Sequence, residues 1–408
     1  MNLDFTPEQH ALRREIRSYY DELFTRELRA AFDAEHEEMG GPVFREIVGR
    51  MGRDGWLGIG WPREYGGQGR SPIEQFIFWD ETYRARAPLP IIPVNTIGPT
   101  IMQFGSERQK RELLPGILRG ELMFGVGYTE PNAGTDLASL STRAVRDGDE
   151  YVINGQKVYT THAHVADYIW LAARTDPDAR KHKGISIILV PTDAPGVSVT
   201  PIYTLGRERT NATYYQDVRV PASNRVGPEN GGWGLIVSQL NHERIALATP
   251  GFAESVMDEV WRWAGEIPAP DGCKRAERAR SEPAPGSMLE QQWVQLNLAR
   301  VYAKLRALQV LNWRSAWALG EGIPTMAEAS ALKVMGTELF VEAYNLLLEI
   351  VGAAGLAVEG EPGALFGGKI EAAYRSATTL TFGGGVNEVQ RDIIAMAGLG
   401  LPRARARG

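Results

Sequence analysis

The sequence predicts an α+β chain in three blocks: an N-terminal helical domain over residues 1–125, a middle β domain of sandwich or barrel type over 126–233, and a C-terminal antiparallel bundle of the four-helix type over 234–408. Three observations carry that prediction. Apolar residues recur at helical spacing from Leu12 onward, the pattern turns to short β-rich runs after Gly127, and long stretches with an apolar face return after Gly234. With 408 residues, 43% of them hydrophobic, the chain can bury more than one core.

The first block opens on Thr6-Pro7-Glu8-Gln9, a capping hydroxyl ahead of a proline at the first helical position, with Leu12, Ile16, Tyr19, Tyr20 and Leu23 following at helical spacing. Pro42, Val43 and Phe44 begin a second amphipathic helix that stops at Gly55. The glycines from Gly58 to Gly69 have no strand–turn–helix unit around them, so they read as a structural loop and not as a dinucleotide fingerprint. In the β block, Tyr151 to Tyr159 reads as a hairpin turning at Asn154-Gly155, and Ile169–Ala173 and Ile185–Val190 read as buried strands. Gly196–Val199 and Tyr214–Pro221 complete that domain. Helices are expected over 236–249, 255–264, 289–320, 326–351 and 365–380, interrupted by an exposed linker over 267–287 that carries four prolines.

A net charge of −6 with both signs interspersed offers no basic stripe for nucleic acid and no polybasic patch for anionic lipid. The basic tail Arg403 to Arg407 reads as a solvated terminus. The single Cys273 excludes an intrachain disulfide framework and reads as an incidental thiol, and the scattered histidines match no metal-ligand spacing, so no metal is expected. No secretory pattern opens the chain and no apolar run is expected to approach a membrane span, which points to a cytoplasmic protein.

Two segments carry the chemistry. Gly127-Tyr128-Thr129-Glu130-Pro131-Asn132-Ala133-Gly134-Thr135-Asp136 joins a strand end, a Pro-Asn turn, a glycine permissive of unusual φ and two hydroxyls, a composition that brings backbone N–H groups close to a ligand but also suits a plain polar turn. Asn154-Gly155-Gln156-Lys157-Val158-Tyr159-Thr160-Thr161 is the second. With Met51-Gly52-Arg53-Asp54-Gly55, Gly60-Trp61-Pro62, Thr210 to Tyr215 and Thr381 to Val389, they resemble the acyl-CoA dehydrogenase family over nearly the whole chain. Within it, the likeness is to the steroid side-chain enzymes of actinobacteria, specifically the subunit with the catalytic glutamate.

That resemblance implies FAD-dependent α,β-dehydrogenation of an acyl-CoA thioester, with an electron-transfer flavoprotein as electron acceptor. By the family pattern, Tyr128 and Thr129 contact the flavin ring, Gly134 and Thr135 contact flavin phosphate or acyl-CoA, Thr161 hydrogen-bonds N5, and Tyr159 covers the ring face away from substrate. An acyl-CoA oxidase and a non-catalytic scaffolding subunit share the fold and stand as the alternatives.

Where many members carry a glutamate in Tyr-Glu-Gly-Thr, this chain has Gly383-Gly384-Gly385-Val386, which cannot take a proton. The family's other location for the base lies on the first long helix after the β domain, where Leu240-Asn241-His242-Glu243-Arg244 stands. The resemblance therefore assigns Glu243 as base, with Asn241 and Arg244 beside substrate; Glu388 is the competing carboxylate, at a position that more often contacts the adenine half of FAD. Gly384 and Gly385 join the cofactor set. The glycines also favour a bulky or branched acyl group, or else serve only a tight turn.

The Arg-x-x-Phe-Gly segment, whose arginine reaches the FAD pyrophosphate across the dimer in homotetrameric members, has no counterpart in Ser281 to Met288. Val386 replaces a phosphate-facing threonine. The expected assembly is an α2β2 heterotetramer with a second subunit of the same fold, a homo-oligomer using Lys274 or Arg275 being the alternative.

Overall fold

The structure, a computed structural model, describes residues 4–35, 40–206, 208–246, 248–268, 286–323 and 326–402, with the side chains of 240–246 outside that description. Cys273, the charged part of the linker and the basic tail lie outside the described residues. The chain divides into two compact units, one of residues 1–20, 76–87 and 247–408, the other of 21–75 and 88–246.

Helices α1 (Pro7–Leu23), α2 (Arg26–Ala34), α3 (Pro42–Arg53), α4 (Pro72–Arg84), α5 (Gly98–Phe104) and α6 (Glu107–Leu118) precede the sheet. The expected cap forms: Gln9 N–H donates to Thr6 Oγ1 at 3.3 Å, and Thr6 N–H donates to Gln9 Oε1 at 3.0 Å, satisfying two donors reciprocally. α2, with its cap Thr25, was not read as a separate helix; it is nine residues long and buries none of them fully. Gly55, at φ 84, ends α3 as expected.

The β domain is one eight-stranded sheet: β1 (Phe124–Gly127), β2 (Arg143–Asp147), β3 (Glu150–Lys157), β4 (Tyr168–Arg174), β5 (Ile185–Pro191), β6 (Val197–Tyr203), β7 (Arg209–Pro221) and β8 (Arg225–Val226). The strand order is β6-β7-β3-β2-β4-β5-β8, with β1 parallel to β4. Inward residues of β2, β3, β4, β5 and β7, among them Tyr151, Ile153, Leu171, Ile188 and Val218, form one core.

The Asn154-Gly155 hairpin expectation is corrected here. The hairpin between β2 and β3 turns at Gly148, φ 60, while Asn154-Gly155 sits inside β3 where the register to β7 shifts; the extra residue lies in β7, between Val218 and Tyr215, where Asp217 takes φ 48. Gly155 has φ 148, and a Cβ there would meet Thr142 Cα at 2.7 Å, so this glycine serves close strand approach.

Helices α7 (Gly232–Ala246), α8 (Gly251–Glu266), α9 (Gln292–Gly320), α10 (Met326–Val351), α11 (Lys369–Leu380) and α12 (Asn387–Ile393) follow. α8 to α11 share a core that includes Val260, Leu305, Leu347 and Ile370. The described ends of the linker pair as an antiparallel bridge, Pro268 with Ser287. Residues 365–368 do not begin α11 as expected, because Phe366 and Gly367 take positive φ. The expectation that no apolar run approaches a membrane span is also corrected: Met326–Leu356 is long and apolar enough, and 56% of its most apolar window is buried. Its apolarity has a packing reason, since α10 meets α8, α9, α11 and α12 and must be apolar on several faces.

Within the first unit, α4 sets Asp80 and Arg84 near α8. Arg84 pairs with Glu254 and, at 2.8 Å, with Asp258. Asp80 is buried with its Oδ1 unpartnered among the described residues, and burial, then the nearby Glu254 and Glu81, push its carboxyl up to about 7.

Candidate active site

The two segments singled out in the sequence lie side by side. β1 ends at Gly127 and delivers Tyr128 and Thr129, while β3 ends at Lys157 and delivers Val158 to Thr161. Val158 N–H donates to the Thr129 carbonyl at 2.8 Å. Lys157 Nζ then crosses beneath, donating to the Tyr128 carbonyl at 3.0 Å and to Glu130 Oε1 at 2.8 Å.

Lys157 and Glu130 are both buried, so the pair is sheltered from water. Burial alone would raise the Glu130 carboxyl. The charge and hydrogen bond of Lys157 outweigh it, and together with donors from Ser141 N and Oγ at 2.7 Å and Thr142 N at 2.8 Å they hold the carboxyl far below its usual range. Burial pushes Lys157 down while Glu130 opposes that. Neither residue stood out as functional in the sequence, although one signal was there. Tyr151, Ile153 and Lys157 fall on the inward parity of β3, and a lysine in that register demands a buried acceptor.

Beyond Glu130 the chain closes a tight turn through reciprocal backbone hydrogen bonds between Glu130 and Ala133, both 3.1 Å. Gly134 and Thr135 follow, both exposed. Gly134 takes no positive φ, although glycine would permit one. A Cβ there would meet only Thr129 Cγ2, at 3.9 Å, so nothing in this chain's own packing requires a glycine. An open backbone edge with adjacent hydroxyls fits an incoming ligand surface.

Tyr159 stands 62% exposed at φ 59, a conformation that costs a non-glycine residue energy and is held here by its neighbours. Those neighbours are Thr160 and Asn211 of β7. Thr160 N–H donates to the Asn211 carbonyl at 2.8 Å, and Asn211 Nδ2 returns a bond to the Thr160 carbonyl at 3.1 Å. Thr161 Oγ1 lies 3.1 Å from Thr210 Oγ1. Next, His162 takes φ 67 with both ring nitrogens buried and unpartnered among the described residues; burial, then His164, push it down to about 4, so it is neutral near pH 7. The sequence reading passed over this histidine because no partner lay at a fixed spacing.

α7 packs against β5, α5 and the wide helical turn Ile92–Ile97, all in the same unit. Asn241, Glu243 and Arg244 lie on α7; their side chains are outside the described residues. Gln239, one turn earlier, is fully buried and accepts from the Tyr128 hydroxyl.

Gly384, Gly385 and Glu388 belong to the other unit, around the turn from α11 into α12. Gly384 takes φ 67 and Gly385 φ 102. The fully buried Lys333 of α10 holds this turn, donating to the carbonyls of Thr381 and Gly385 at 2.8 Å each and to Asn387 Oδ1 at 2.6 Å. Glu388 begins α12. Of the region expected to carry a pyrophosphate arginine, 281–285 lie outside the described residues.

Residues 6–121, 125–218 and 274–399 match the N-terminal, middle and C-terminal domains of acyl-CoA dehydrogenases, respectively. The chain is 51% identical to acyl-CoA dehydrogenase FadE26 of Mycobacterium tuberculosis over 99% of this chain and 100% of that one. It is 49% identical to acyl-CoA dehydrogenase FadE29 of the same organism, over 99% of each. Among solved structures, it is similar to the Tcur3481-Tcur3483 steroid ACAD, with TM-score 0.90, 50% identity and coverage of 99% and 100%. The ChsE4-ChsE5 complex from Mycobacterium tuberculosis superposes with TM-score 0.89 at 51% identity, with the same coverage.

Proposed function

This chain belongs to the acyl-CoA dehydrogenase family and is an oxidoreductase acting on a CH–CH bond, and on that footing we propose that it desaturates a bulky or branched acyl-CoA, of the steroid side-chain type, using FAD and Glu243. The observation that carries the reading is the stitched pair of loops. Lys157 and the Val158–Thr129 bond fix Tyr128, Thr129, Tyr159 and Thr161 on one unit, and an unshielded Gly134 edge lies beside them. These residues would hold the flavin ring and its phosphate-proximal part, with Thr161 toward N5. FAD, when bound, supplies the acceptor for the hydride that leaves the β-carbon.

The chain's own part is to take the α-proton. Glu243 accepts it as the C–H bond breaks and the α,β double bond forms. Gly384 leaves no carboxylate at the family's other location. Asn241 and Arg244 lie on the same helix and are assigned to substrate, and Gly384, Gly385 and Glu388 to FAD, Glu388 toward its adenine half.

A second subunit of the same fold completes the cofactor site in an α2β2 assembly, in the cytoplasm, with an electron-transfer flavoprotein taking the electrons. Support comes from the absent arginine motif and from the two similar steroid ACAD structures, each of which joins two different chains. Glu243→Gln tests the base. It should leave flavin content intact and lower turnover by at least about 100-fold; near-parental turnover, with loss instead in Glu388→Gln, would overturn the assignment. Purifying the chain alone and with a co-expressed partner tests the assembly: full flavin occupancy and activity alone would refute the heteromer.

A further inference from the structure

α9 is apolar on two sides. Leu298, Val301, Leu305 and Leu308 enter the bundle core, while Asn297 and Lys304 turn to Glu349 and Glu342 of α10, and Arg306 turns to Glu254 of α8. The remaining side faces neither of those neighbours. There, from Trp293 to Trp317, exposed residues follow one another in alternating steps of three and four, the repeat with which one helix packs along another. A helix face left to water is normally polar, yet Trp293, Leu296 and Trp317 stand here close to half exposed, with Val310 between them. Trp261 and Tyr302, also close to half exposed, flank the strip in a groove between α8 and α9. An aromatic side chain offers roughly 150 to 250 Å², so these four rings and the aliphatic residues between them present about 500 Å² of apolar surface. A stable interface takes about 800 Å² from each partner, a little over half of it apolar. The strip is large enough for one.

The order of its residues fits one occupant. Read backwards from Trp317, the strip repeats its own pattern: Trp317 falls on Trp293, Arg314 on Leu296, Val310 on Arg300 and Ala307 on Ala303. A twofold contact needs that self-complementarity. The two alanines stand at the midpoint, where small side chains let two helices cross closely. No arginine falls on an arginine, so each lays its stem on an aliphatic side chain and keeps its charge in water, and Arg314 already has Glu328 beside it. We infer that this strip packs antiparallel against the same strip of a second copy of this chain, across a twofold axis between Ala303 and Ala307. Of the proposed assembly, the inference rests only on the presence of two copies of this chain, whatever the other subunits are.

The test places cysteines at the midpoint of the complex purified with its partner subunit, in a Cys273→Ser background. On mild oxidation, Ala303→Cys/Ala307→Cys should give a disulfide-linked dimer of this chain that peptide mapping resolves as position 303 joined to position 307, with flavin content and thermal stability before oxidation at the parental level. Ala307→Arg sets two further cations at the crossing and should halve the mass of the complex by light scattering. If light scattering finds two copies of this chain, yet the cysteines stay reduced and Ala307→Arg keeps the parental mass, the seam is overturned and the assembly stands. A parental complex whose mass holds a single copy would overturn the assembly and the inference with it.

Discussion

Replacing Lys157 by methionine isolates what holds the loops after β1 and β3 together. The side chain keeps its length and apolar stem but loses the ammonium, which is fully buried and lies 2.8 Å from a Glu130 carboxylate that is only 4% exposed. Glu130 would keep its bonds from Ser141 and Thr142 but lose its countercharge, and the Tyr128 carbonyl would lose its donor. Breaking one side of a buried pair costs about 3 to 5 kcal/mol, a large share of the stability of a typical domain. Urea denaturation at pH 7 should show that loss. The double variant Lys157→Met/Glu130→Gln removes the stranded charge and should recover part of it, which a simple packing defect would not allow. The deficit of the single variant should also narrow as pH falls from 7 toward 4. Without the cation, burial raises the Glu130 carboxyl, so it takes up a proton in the folded state and the stranded charge disappears. A loss under about 1 kcal/mol, the level of an exposed pair, or a double variant no more stable than the single, would refute the reasoning.

Two further predictions concern pH and run in opposite directions. Asp80, raised to about 7, binds its proton more tightly folded than unfolded, so the stability it contributes is lost as pH rises from about 4 through 7; Asp80→Asn should gain up to about 2 kcal/mol over the parent between pH 5 and 8, read from denaturation midpoints. His162, lowered to about 4, resists protonation when folded, so stability falls as pH drops from about 6.5 to 4; His162→Asn, which tolerates the φ of 67, should flatten that acid limb, and an unchanged limb would show that the imidazole is not buried neutral.

The three-block order was legible because periodicity is a local property and each block has its own. Thr6-Pro7 and Gly55 were read correctly because a cap and a positive-φ stop act on the residues beside them. Asn154-Gly155 was misread for the complementary reason. The dipeptide permits either a turn or a place inside a strand, and the choice was made by β7, about sixty residues away, whose bulge faces it, and by the nearness of Thr142. Tyr128, Thr129, Tyr159 and Thr161 were singled out through motif likeness alone, whereas Glu130 and Gln239, which meet Lys157 and Tyr128, do so through contacts spanning 27 and 111 positions that no local pattern reveals.

The three glycines at 383–385 separate the two explanations that the sequence left open. Gly384 and Gly385 have backbone reasons to be glycine, and a Cβ on Gly385 would also strike Gln390 Nε2 at 2.6 Å. They would be glycines whatever the acyl group. Gly383 is different: it takes no positive φ, and an added Cβ meets only the Thr379 carbonyl, at 3.4 Å. The case for a roomy acyl pocket therefore falls on this residue, and Gly383→Ala puts it to the test without straining the turn that Lys333 holds. Under the proposed function, the added methyl should leave flavin content and thermal stability unchanged, yet lower kcat/KM for a steroid side-chain acyl-CoA relative to a straight-chain one by about tenfold or more, the scale of one methyl group in a specificity pocket. An unchanged ratio would mean that all three glycines serve the turn alone, and the preference for a bulky acyl group would lose its support from this loop.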